Sequence, residues 1–189
     1  MKIAVDLDDV LVDLVPEILL RLNKKYHTPI DKNLIRDWYM SQYLGLREEQ
    51  IDELIEQEFV LGDGYENLPL ISGAKSGLEK LASRHQVFLV TYRDKHTEQI
   101  TLDYVKRNLN NYPVYLTNKD LKVKICLKLG ASLLIDDSQS QTKALSRYIP
   151  VFLFNQPWNE SFDESEFNKT NNTQIIRVKS WQEITSLLT

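Results

Sequence analysis

The sequence predicts an α/β fold built on a parallel β-sheet. Short apolar runs alternate with segments whose apolar residues recur at helical spacing, and this alternation is typical of parallel strands joined by crossover helices. A length of 189 residues suits one compact domain with a small insertion. The insertion is expected after the first strand, because about eighty residues separate the first two predicted strands whereas a crossover unit needs only about thirty.

Six short apolar runs are predicted as strands. Each is bounded by polar or turn-forming residues, and apolar runs of this length are typical of strands that are buried on both faces of a sheet. In chain order, they are residues 2–7, 86–91, 114–116, 132–135, 151–154 and 174–178. The polar stretch at residues 155–173 is predicted to be a long surface loop, and no role is assigned to it.

The predicted helices follow from apolar residues spaced three and four positions apart. Such faces lie at Leu14, Ile18, Leu19 and Leu22 after the first strand, and at Leu78, Leu81 and Ala82 before the second. Both faces are expected to pack on the sheet. Near the C-terminus, Ser180 and Glu183 have the spacing of a capping box, which predicts a last helix that ends at Leu188.

Two helical segments are predicted within the insertion, at residues 31–44 and 47–59. Their apolar residues are Leu34, Ile35, Trp38 and Tyr39 in the first segment, and Ile51, Leu54, Ile55 and Phe59 in the second. Glycines and a proline then return the chain to the sheet, and such residues supply turns or hinges at which a lid can move. We therefore expect a small helical cap at residues 31–66 on a core domain of residues 1–30 and 67–189.

Composition excludes several classes of protein. The 23 Lys and Arg residues against 27 Asp and Glu residues give a net charge of −4. The chain therefore lacks the overall excess of positive charge that binds a nucleic acid polymer. Cys126 is the only cysteine, which excludes an internal disulfide and a cysteine-based metal cage. The apolar runs are far shorter than the roughly 20 residues of a membrane span, and Asp6 interrupts any secretory apolar region. We expect a cytoplasmic protein without a membrane partner.

Polar residues cluster where the predicted strands end. They are Asp6, Asp8 and Asp9 after the first strand, Thr91 and Arg93 at the end of the second, Lys122 and Lys124 in the helix before the fourth, and Asp136 and Asp137 after it. Any one of them has an ordinary structural interpretation, because Asp and Thr are common at strand ends and helix N-caps. Ligands of open parallel sheets bind beyond these ends, so the ordered set indicates a functional site.

This ordered set resembles the haloacid dehalogenase superfamily of aspartyl-phosphate hydrolases. The superfamily motifs D-x-D-x-[TV], a hydrophobic strand ending in Thr or Ser, a Lys and an acidic pair correspond to DLDDV at 6–10, FLVT at 88–91, Lys122 and LLIDD at 133–137. The resemblance covers residues 1 to about 154. The short helical insertion, the LIDDS form of the last motif and the compact length are most similar to the 5'(3')-deoxyribonucleotidases, or type C 5'-nucleotidases, and related bacterial proteins.

The resemblance implies a three-layer fold with a helical cap and a hydrolase of phosphomonoesters. Asp6 would be the nucleophile, and Asp8 would protonate the leaving alcohol and later take a proton from water. A carboxylate attacks a phosphate dianion only if a cation offsets their charges, and Mg²⁺ favours oxygen ligands. The expected ligands are Asp6, the main-chain carbonyl of Asp8, and Asp136. The role of Asp8 assumes that the first strand continues through that residue, so that both side chains point in similar directions.

The remaining motif residues are expected to bind the phosphate. Thr91 offers a hydroxyl donor, and Lys122 offers a positive charge that holds the phosphate and the Asp6 carboxylate together. Lys124 competes with Lys122 for this role, although the pattern that leads to Leu-Gly-Ala favours Lys122. Arg93 either reaches a substrate phosphate through two hydrogen bonds or pairs with a nearby acid such as Asp94.

Two further residues have open interpretations. Asp137 either orients a metal-bound water or Lys122, or it is an ordinary loop carboxylate. Trp38 is a candidate substrate contact, because adjacent Trp38 and Tyr39 point in different directions and cannot both be buried in one core. Tyr43, Phe59 and Tyr65 also offer aromatic faces to a base, although Phe59 lies on the apolar stripe and is expected in the core.

The resemblance leaves the substrate open between a nucleotide and another small phosphate, such as a sugar phosphate or phosphoserine. Two departures concern the substrate pocket: Asp9 stands where the nucleotidases usually have Gly, and Tyr92 with Arg93 stands where a small residue and Pro are more common. A non-enzymatic receiver module is disfavoured, because the acceptor Asp in that family ends the third strand, where this sequence has Leu116 and Thr117. A purely binding member is disfavoured because all motif carboxylates are present.

Overall fold

Six parallel strands form one sheet in the computed structural model, which describes residues 1–36, 41–117 and 121–188. The strands are β1 Lys2–Val5, β2 Gln86–Thr91, β3 Val114–Leu116, β4 Leu133–Asp136, β5 Val151–Phe154 and β6 Ile175–Val178. Their order is β3-β2-β1-β4-β5-β6, and every neighbouring pair is parallel. The α/β fold class and the six predicted strands are therefore confirmed.

The helices lie between these strands. The α-helices are α1 Leu14–Tyr26, α2 Ser41–Leu44, α3 Glu48–Ile55, α4 Ala74–Ala82, α5 Glu98–Leu109, α6 Leu121–Leu129, α7 Gln139–Leu145, α8 Glu164–Asn171 and α9 Trp181–Leu188. Short 3₁₀ turns lie at Lys32–Leu34, Lys95–Thr97 and Pro157–Asn159, and a π-helix lies at Glu56–Val60. The helices predicted after the first strand, before the second and at the C-terminus are confirmed as α1, α4 and α9. None of the helices in the described ranges has the length and apolar content that a membrane crossing requires.

Helices cover both faces of the sheet. Ile3 and Val5 of β1 turn to one face, where they join a hydrophobic cluster with residues of α1, α4, α5 and α9. Ala4 turns to the other face and clusters with residues of α6 and α7. The two-residue period of a strand produces this alternation, so a strand covered on both sides must be apolar throughout. The arrangement has the three layers that the resemblance implies.

The direction of the chain across the sheet reverses at β1. The chain runs outward from β1 to β2 and β3, and then crosses to β4 on the other side of β1 before it runs outward again. A crevice opens beyond the carboxyl ends of two such neighbouring strands, and it is where α/β proteins bind ligands. Asp6 lies at this crevice between β1 and β4, because its N–H donates to the carbonyl of Ile135 in β4 at 2.9 Å. Asp136, the last residue of β4, lies there as well.

The chain turns sharply after Asp6. The carbonyl of Leu7 accepts a hydrogen bond from the N–H of Val12 at 3.0 Å, and Asp9 has a left-handed backbone with a φ of 54°. β1 itself ends before Asp6. The expectation that the strand continues through Asp8 is therefore wrong, and the directions of the Asp6 and Asp8 side chains are set by a turn.

The inserted segment predicted at residues 31–66 contacts α1 through the 3₁₀ turn at Lys32–Leu34 and through α3. Its described part contains the 3₁₀ turn at Lys32–Leu34, α2, α3 and the π-helix, so the predicted helix over 47–59 is present with a change of helix type at residue 56. Trp38 and Tyr39 lie outside the described residues. Leu54 and Phe59 are fully buried and share a hydrophobic cluster with residues of α1.

The predicted surface loop at residues 155–173 is wrong over part of its length. It contains the 3₁₀ turn Pro157–Asn159 and α8, whose N-cap residue Asp163 accepts a hydrogen bond from the N–H of Glu166 at 2.9 Å. All residues of α8 are described and none is buried, so the helix lacks the apolar spacing from which helices are predicted. Arg177 of β6 holds it through hydrogen bonds to Glu164.

Candidate active site

Three carboxylates converge at the carboxyl ends of β1 and β4. One oxygen atom from each of Asp6, Asp136 and Asp137 lies within 4.8 Å of the other two, and all three residues are buried. Asp6 follows β1, Asp136 ends β4, and Asp137 follows it, so the register of two adjacent parallel strands brings them together. Within the described ranges, no second group of three metal-ligating side chains converges in this way.

Lys122 of α6 lies between two of these carboxylates. Its Nζ is 3.0 Å from Asp6 Oδ1 and 2.7 Å from Asp136 Oδ2, and its side chain is only 3% exposed. Burial disfavours the charged amine, but the charges of Asp136 and Asp6 outweigh burial and raise the pKa of Lys122. Lys124 is exposed. Of the two lysines that the sequence leaves in competition, the structure brings Lys122 to the carboxylates.

One lysine does not neutralise three buried carboxylates. Burial raises the pKa of Asp6 to about 7, although the charge of Lys122 opposes this rise. Burial, together with the charges of Asp136 and Asp6, also raises the pKa of Asp137 well above its ordinary value. Asp137 Oδ2 accepts a hydrogen bond from the indole nitrogen of Trp158 at 2.7 Å. The cluster therefore favours an additional positive charge.

The donor set fits a hard divalent cation. Each ligand is a carboxylate oxygen, and neither sulfur nor imidazole belongs to the group. Mg²⁺ favours oxygen ligands of this kind and binds through few carboxylates because it retains several waters. Asp6 and Asp136 were expected as ligands. Asp137 was expected either to act indirectly or to be an ordinary loop carboxylate, and its oxygen lies within the same group.

Asp8 is held by the two residues that were expected to bind phosphate. Its carboxylate accepts hydrogen bonds from Arg93 Nε at 2.8 Å, from Arg93 Nη2 at 2.5 Å and from Thr91 Oγ1 at 3.2 Å. Asp94, the alternative partner of Arg93, instead accepts hydrogen bonds from His96. The structure thus brings Asp8, Thr91 and Arg93 together as one polar group beside the three carboxylates.

Asp9 has a structural role that sequence reasoning missed. Its Oδ1 accepts a hydrogen bond from the N–H of Val15 at 3.1 Å, and so satisfies a backbone donor in the first turn of α1. Asp13 precedes this helix but makes no capping hydrogen bond, and its carboxylate instead lies 2.5 Å from Lys32 Nζ. Burial raises the pKa of Asp9 to about 8. The sequence indicated Asp9 as one of the polar residues after the first strand and as a departure from glycine, without this contact to α1.

Residues from the stretch that was predicted as a loop also support the site. Trp158 donates to Asp137, as described above, and Asn159 Nδ2 donates to the Asp137 carbonyl at 2.8 Å. Gln156 Nε2 donates to the Asp9 carbonyl at 2.6 Å. A tryptophan in a polar stretch is the one sequence signal that could have drawn attention to this segment. Trp38, the candidate substrate contact, lies outside the described residues.

Comparison with known families identifies the family of the chain. The family model described as "5' nucleotidase, deoxy (Pyrimidine), cytosolic type C protein" matches residues 1–189. The chain belongs to this family. It is therefore a phosphoric monoester hydrolase of the haloacid dehalogenase type, as the four motifs indicate. A relative from Bacillus subtilis, YqfW, whose name marks it provisionally as a nucleotidase, is 26% identical over 166 residues, which are 86% of this chain and 80% of the relative.

Solved structures of haloacid dehalogenase-like hydrolases share the fold of this type C 5'-nucleotidase family member. One from Streptococcus pneumoniae has a TM-score of 0.67 and 18% identity, covering 100% of this chain and 98% of the other. One from Deinococcus radiodurans, with bound phosphate and sodium, has a TM-score of 0.63 and 15% identity. The match covers 99% of this chain and 94% of the Deinococcus chain. These likenesses establish the fold.

Proposed function

We propose that the protein is a Mg²⁺-dependent nucleotidase that dephosphorylates nucleoside or deoxynucleoside monophosphates through a phosphoryl group on Asp6. The observation that carries the proposal is the convergence of three buried carboxylates and Lys122 where β1 and β4 end. Membership of the type C 5'-nucleotidase family supports a nucleotide substrate. The phosphate and sodium bound in the Deinococcus hydrolase support a phosphate site and a cation site in this fold.

The reaction requires two displacements at phosphorus. In the first, a carboxylate oxygen of Asp6 attacks the phosphorus atom, the bond to the ester oxygen breaks, and Asp8 gives a proton to the leaving alcohol. In the second, water attacks the phosphorus atom of the acyl phosphate and gives a proton to Asp8. Inorganic phosphate leaves, and Asp6 returns to a carboxylate. Each residue ends the cycle in its starting state.

The surrounding residues prepare Asp6 for this reaction. When bound, Mg²⁺ would offset the negative charges of the phosphate and the nucleophile. Asp6, Asp136 and the main-chain carbonyl of Asp8 would hold the ion, and Asp137 would orient a metal-bound water or bind the ion itself. Lys122, fixed between Asp6 and Asp136, adds a second positive charge beside the reacting carboxylate.

The inserted segment is proposed to act as the cap that selects the substrate. It would cover residues 31–66, with residues 1–30 and 67–189 as the core domain. Lys32, at its start, contacts Asp13 of the core at 2.5 Å, and Tyr65, near its end, lies against Arg93. Both ends of the segment are thus fixed beside the candidate site, and Trp38 remains the proposed contact for a nucleobase.

The experiment that tests the proposal measures phosphate release from a panel of substrates. The panel contains ribonucleoside and deoxyribonucleoside monophosphates, sugar phosphates, phosphoserine and an aryl phosphate, each with Mg²⁺ and with excess EDTA. We expect nucleoside monophosphates to have the highest kcat/KM and EDTA to abolish turnover. Equal rates with chelator would contradict the metal, and a preference for sugar phosphates or phosphoserine would contradict the nucleotide while retaining the reaction.

A further inference from the structure

Each nitrogen atom of the Arg93 guanidinium donates a hydrogen bond to a protein group. Its side chain is 0% exposed, Nε and Nη2 donate to the two carboxylate oxygens of Asp8, and Nη1 donates to Thr101 Oγ1 at 3.1 Å. Paired N–H donors from one guanidinium fix the plane of a carboxylate as well as its position. The edge formed by Nε and Nη2 is taken by Asp8 and the side chain has no exposed surface, so a paired contact between this edge and a substrate phosphate does not fit this arrangement.

Asp8 needs such a partner because its own backbone does not fix its direction. It follows the end of β1 and belongs to the turn in which Asp9 has a left-handed backbone. Without Arg93, Thr91 would be the remaining side chain in the described residues that donates to the Asp8 carboxylate. A general acid acts only within hydrogen-bond reach of the leaving oxygen, so a loosely held Asp8 would protonate it less often.

Tyr65 covers the guanidinium from the inserted segment. The guanidinium carbon of Arg93 lies 4.0 Å from the centre of the Tyr65 ring, and Tyr65 is 7% exposed. The Tyr65 ring in turn meets Phe59 of the π-helix edge to face, with 5.4 Å between ring centres. Phe59 is covered by Arg21 of α1 at 5.0 Å. A continuous series of contacts therefore joins α1, the inserted segment, Arg93 and Asp8.

We propose that Arg93 is a positioning residue for Asp8, and that Tyr65 couples this position to the seating of the inserted segment. The proposal rests on the proposed function, because it assigns a task to Asp8 in phosphoryl transfer. Arg93 then acts on the leaving group through Asp8 and does not touch the phosphate. Tyr65 contributes by a cation–π contact that restricts the guanidinium to one plane.

The dependence of the rate on the leaving group reveals this role. An aryl alcohol leaves readily without a proton, whereas an alkyl alcohol depends on the acid. The ratio kcat/KM reports transition-state stabilisation from free enzyme through the first displacement, so it excludes the later attack of water that both substrates share. Loss of Asp8 positioning should therefore lower kcat/KM for alkyl phosphates much more than for aryl phosphates.

The experiment compares Arg93→Lys, Tyr65→Leu and Tyr65→Phe with wild type on an aryl phosphate, on a nucleoside monophosphate and on a simple alkyl phosphate without a base. The last two substrates share an alkyl leaving group, and a loss that arises from a base contact would spare the simple alkyl phosphate. Arg93→Lys keeps the charge but loses the paired donors. We expect Arg93→Lys and Tyr65→Leu to reduce kcat/KM about tenfold or more on both alkyl phosphates and less than about threefold on the aryl phosphate, within the range of general acid catalysis. Tyr65→Phe should keep the wild-type ratio of kcat/KM between aryl and alkyl phosphates, because it retains the aromatic ring.

Two controls separate positioning from general damage. Leu145→Ala removes a buried side chain of α7 from the other face of the sheet, away from the inserted segment, and it should lower the melting temperature without changing the aryl-to-alkyl ratio. In an Asp8→Asn background, Tyr65→Leu should cause no further change in this ratio, because the group that it positions is gone. An additional selective loss there would contradict the proposal.

The outcomes also separate this inference from the proposed function. If wild type hydrolyses all three substrates and Arg93→Lys damages them equally, Arg93 binds phosphate and the positioning role is wrong, while the nucleotidase proposal stands. If Leu145→Ala reproduces the selective loss of Tyr65→Leu, the loss reports general destabilisation and Tyr65 has only a structural role. A wild-type protein that releases phosphate from none of the three substrates with Mg²⁺ would overturn the proposed function and this inference with it.

Discussion

At the scale of single residues, Lys122 places one cation among buried groups that would otherwise repel one another. It contacts Asp6 and Asp136, and burial has raised the pKa of Asp6 to about 7 despite this contact. Desolvation of several charges costs free energy that good geometry offsets only in part. The arrangement therefore favours reaction chemistry over maximal stability, and its stability is expected to depend on Lys122.

We expect Lys122→Met to lose both activity and stability. Removal of the amine leaves two buried carboxylates without their cation, which should cost about 3 to 5 kcal/mol in the free energy of unfolding. Phosphate release should fall about 100-fold or more, the usual cost of removing one group that stabilises developing charge. Urea denaturation and the phosphate assay measure the two effects.

Lys124→Met is the matched control on the same helix. Lys124 is exposed, so its replacement should change the free energy of unfolding by less than about 0.5 kcal/mol and leave turnover unchanged. A variant pair in which Lys124→Met lost activity and Lys122→Met retained it would reverse the assignment of the motif lysine.

The positions of the site carboxylates were predictable from the sequence, but their partners were not. Asp6 follows β1 and Asp136 ends the adjacent strand β4, so the parallel pairing of these strands brings both residues to one edge of the sheet. The pairing of Arg93 with Asp8 depends on a turn, and the sequence offered a substrate phosphate or a nearby acid such as Asp94 as the partner. The place of Asp137 in the carboxylate cluster was also not predictable, because it depends on the direction of the backbone after β4. Residue spacing does not encode that direction.

At the scale of elements, the packing of α4 on α9 is set by a glycine. A Cβ on Gly77 would lie 2.6 Å from Cε3 of the Trp181 ring, and Trp181 is 1% exposed. The Trp181 indole also donates to the Val10 carbonyl at 2.8 Å, directly after the DLDD motif. The C-terminal helix therefore supports the loop that carries Asp6 and Asp8.

Gly77→Ala should destabilise the protein although Ala is the better helix former. The gain in helix propensity is about 1 kcal/mol, whereas overpacking against a buried ring costs about 1 to 3 kcal/mol. We expect a lower midpoint of thermal unfolding, and Lys75→Ala at an exposed position of α4 should leave it almost unchanged. A more stable Gly77→Ala variant would show that Trp181 moves away freely.

The attachment of α8 should depend on pH through Glu164. Partial burial raises the pKa of Glu164, but hydrogen bonds from Arg177 outweigh burial and hold the pKa below its usual range. A carboxyl with a lowered pKa stabilises the folded state above its unfolded pKa, and this contribution is lost as the pH falls through the folded pKa.

Glu164→Gln should therefore lower the free energy of unfolding by about 1 kcal/mol at neutral pH, as expected for a partly exposed ion pair with hydrogen bonds. The difference from wild type should shrink as the pH falls below the unfolded pKa of a glutamate, about 4.3, and disappear below the lowered folded pKa of Glu164. Denaturation curves at several pH values measure it, with Glu166→Gln, an exposed position of the same helix, as the control. A difference that persisted at acidic pH would contradict a charge-dependent contact.

The sequence predicts elements well where apolar residues report burial, and poorly elsewhere. All six strands are apolar runs in a sheet that is covered on both faces, so each was predicted to within two residues. α8 buries none of its residues, all of which are described, and it depends on Asp163 and Arg177 for its stability. A helix that is held by a cap and one guanidinium leaves no periodic signal in the sequence.

At the scale of the whole molecule, the substrate is expected to be selected by the inserted segment while the reaction takes place at the strand ends. Trp38→Ala should weaken nucleotide binding by about 1 to 3 kcal/mol, the usual scale of stacking between an aromatic side chain and a base. KM for a nucleotide should rise, and hydrolysis of a small aryl phosphate should stay nearly constant. Equal damage to both substrates would mean that Trp38 supports the segment and does not contact the base.

The central claim is that Asp6 carries the phosphoryl group during turnover. Rapid acid quenching of the enzyme during hydrolysis of a nucleoside monophosphate with Mg²⁺, followed by mass spectrometry of its peptides, measures this directly. We predict a phosphoryl group on Asp6 in wild type and none in Asp6→Asn, whose turnover should fall by several orders of magnitude with a similar melting temperature. Wild-type turnover without a phosphorylated peptide, together with an Asp6→Asn variant that still releases phosphate at the wild-type rate, would contradict the account.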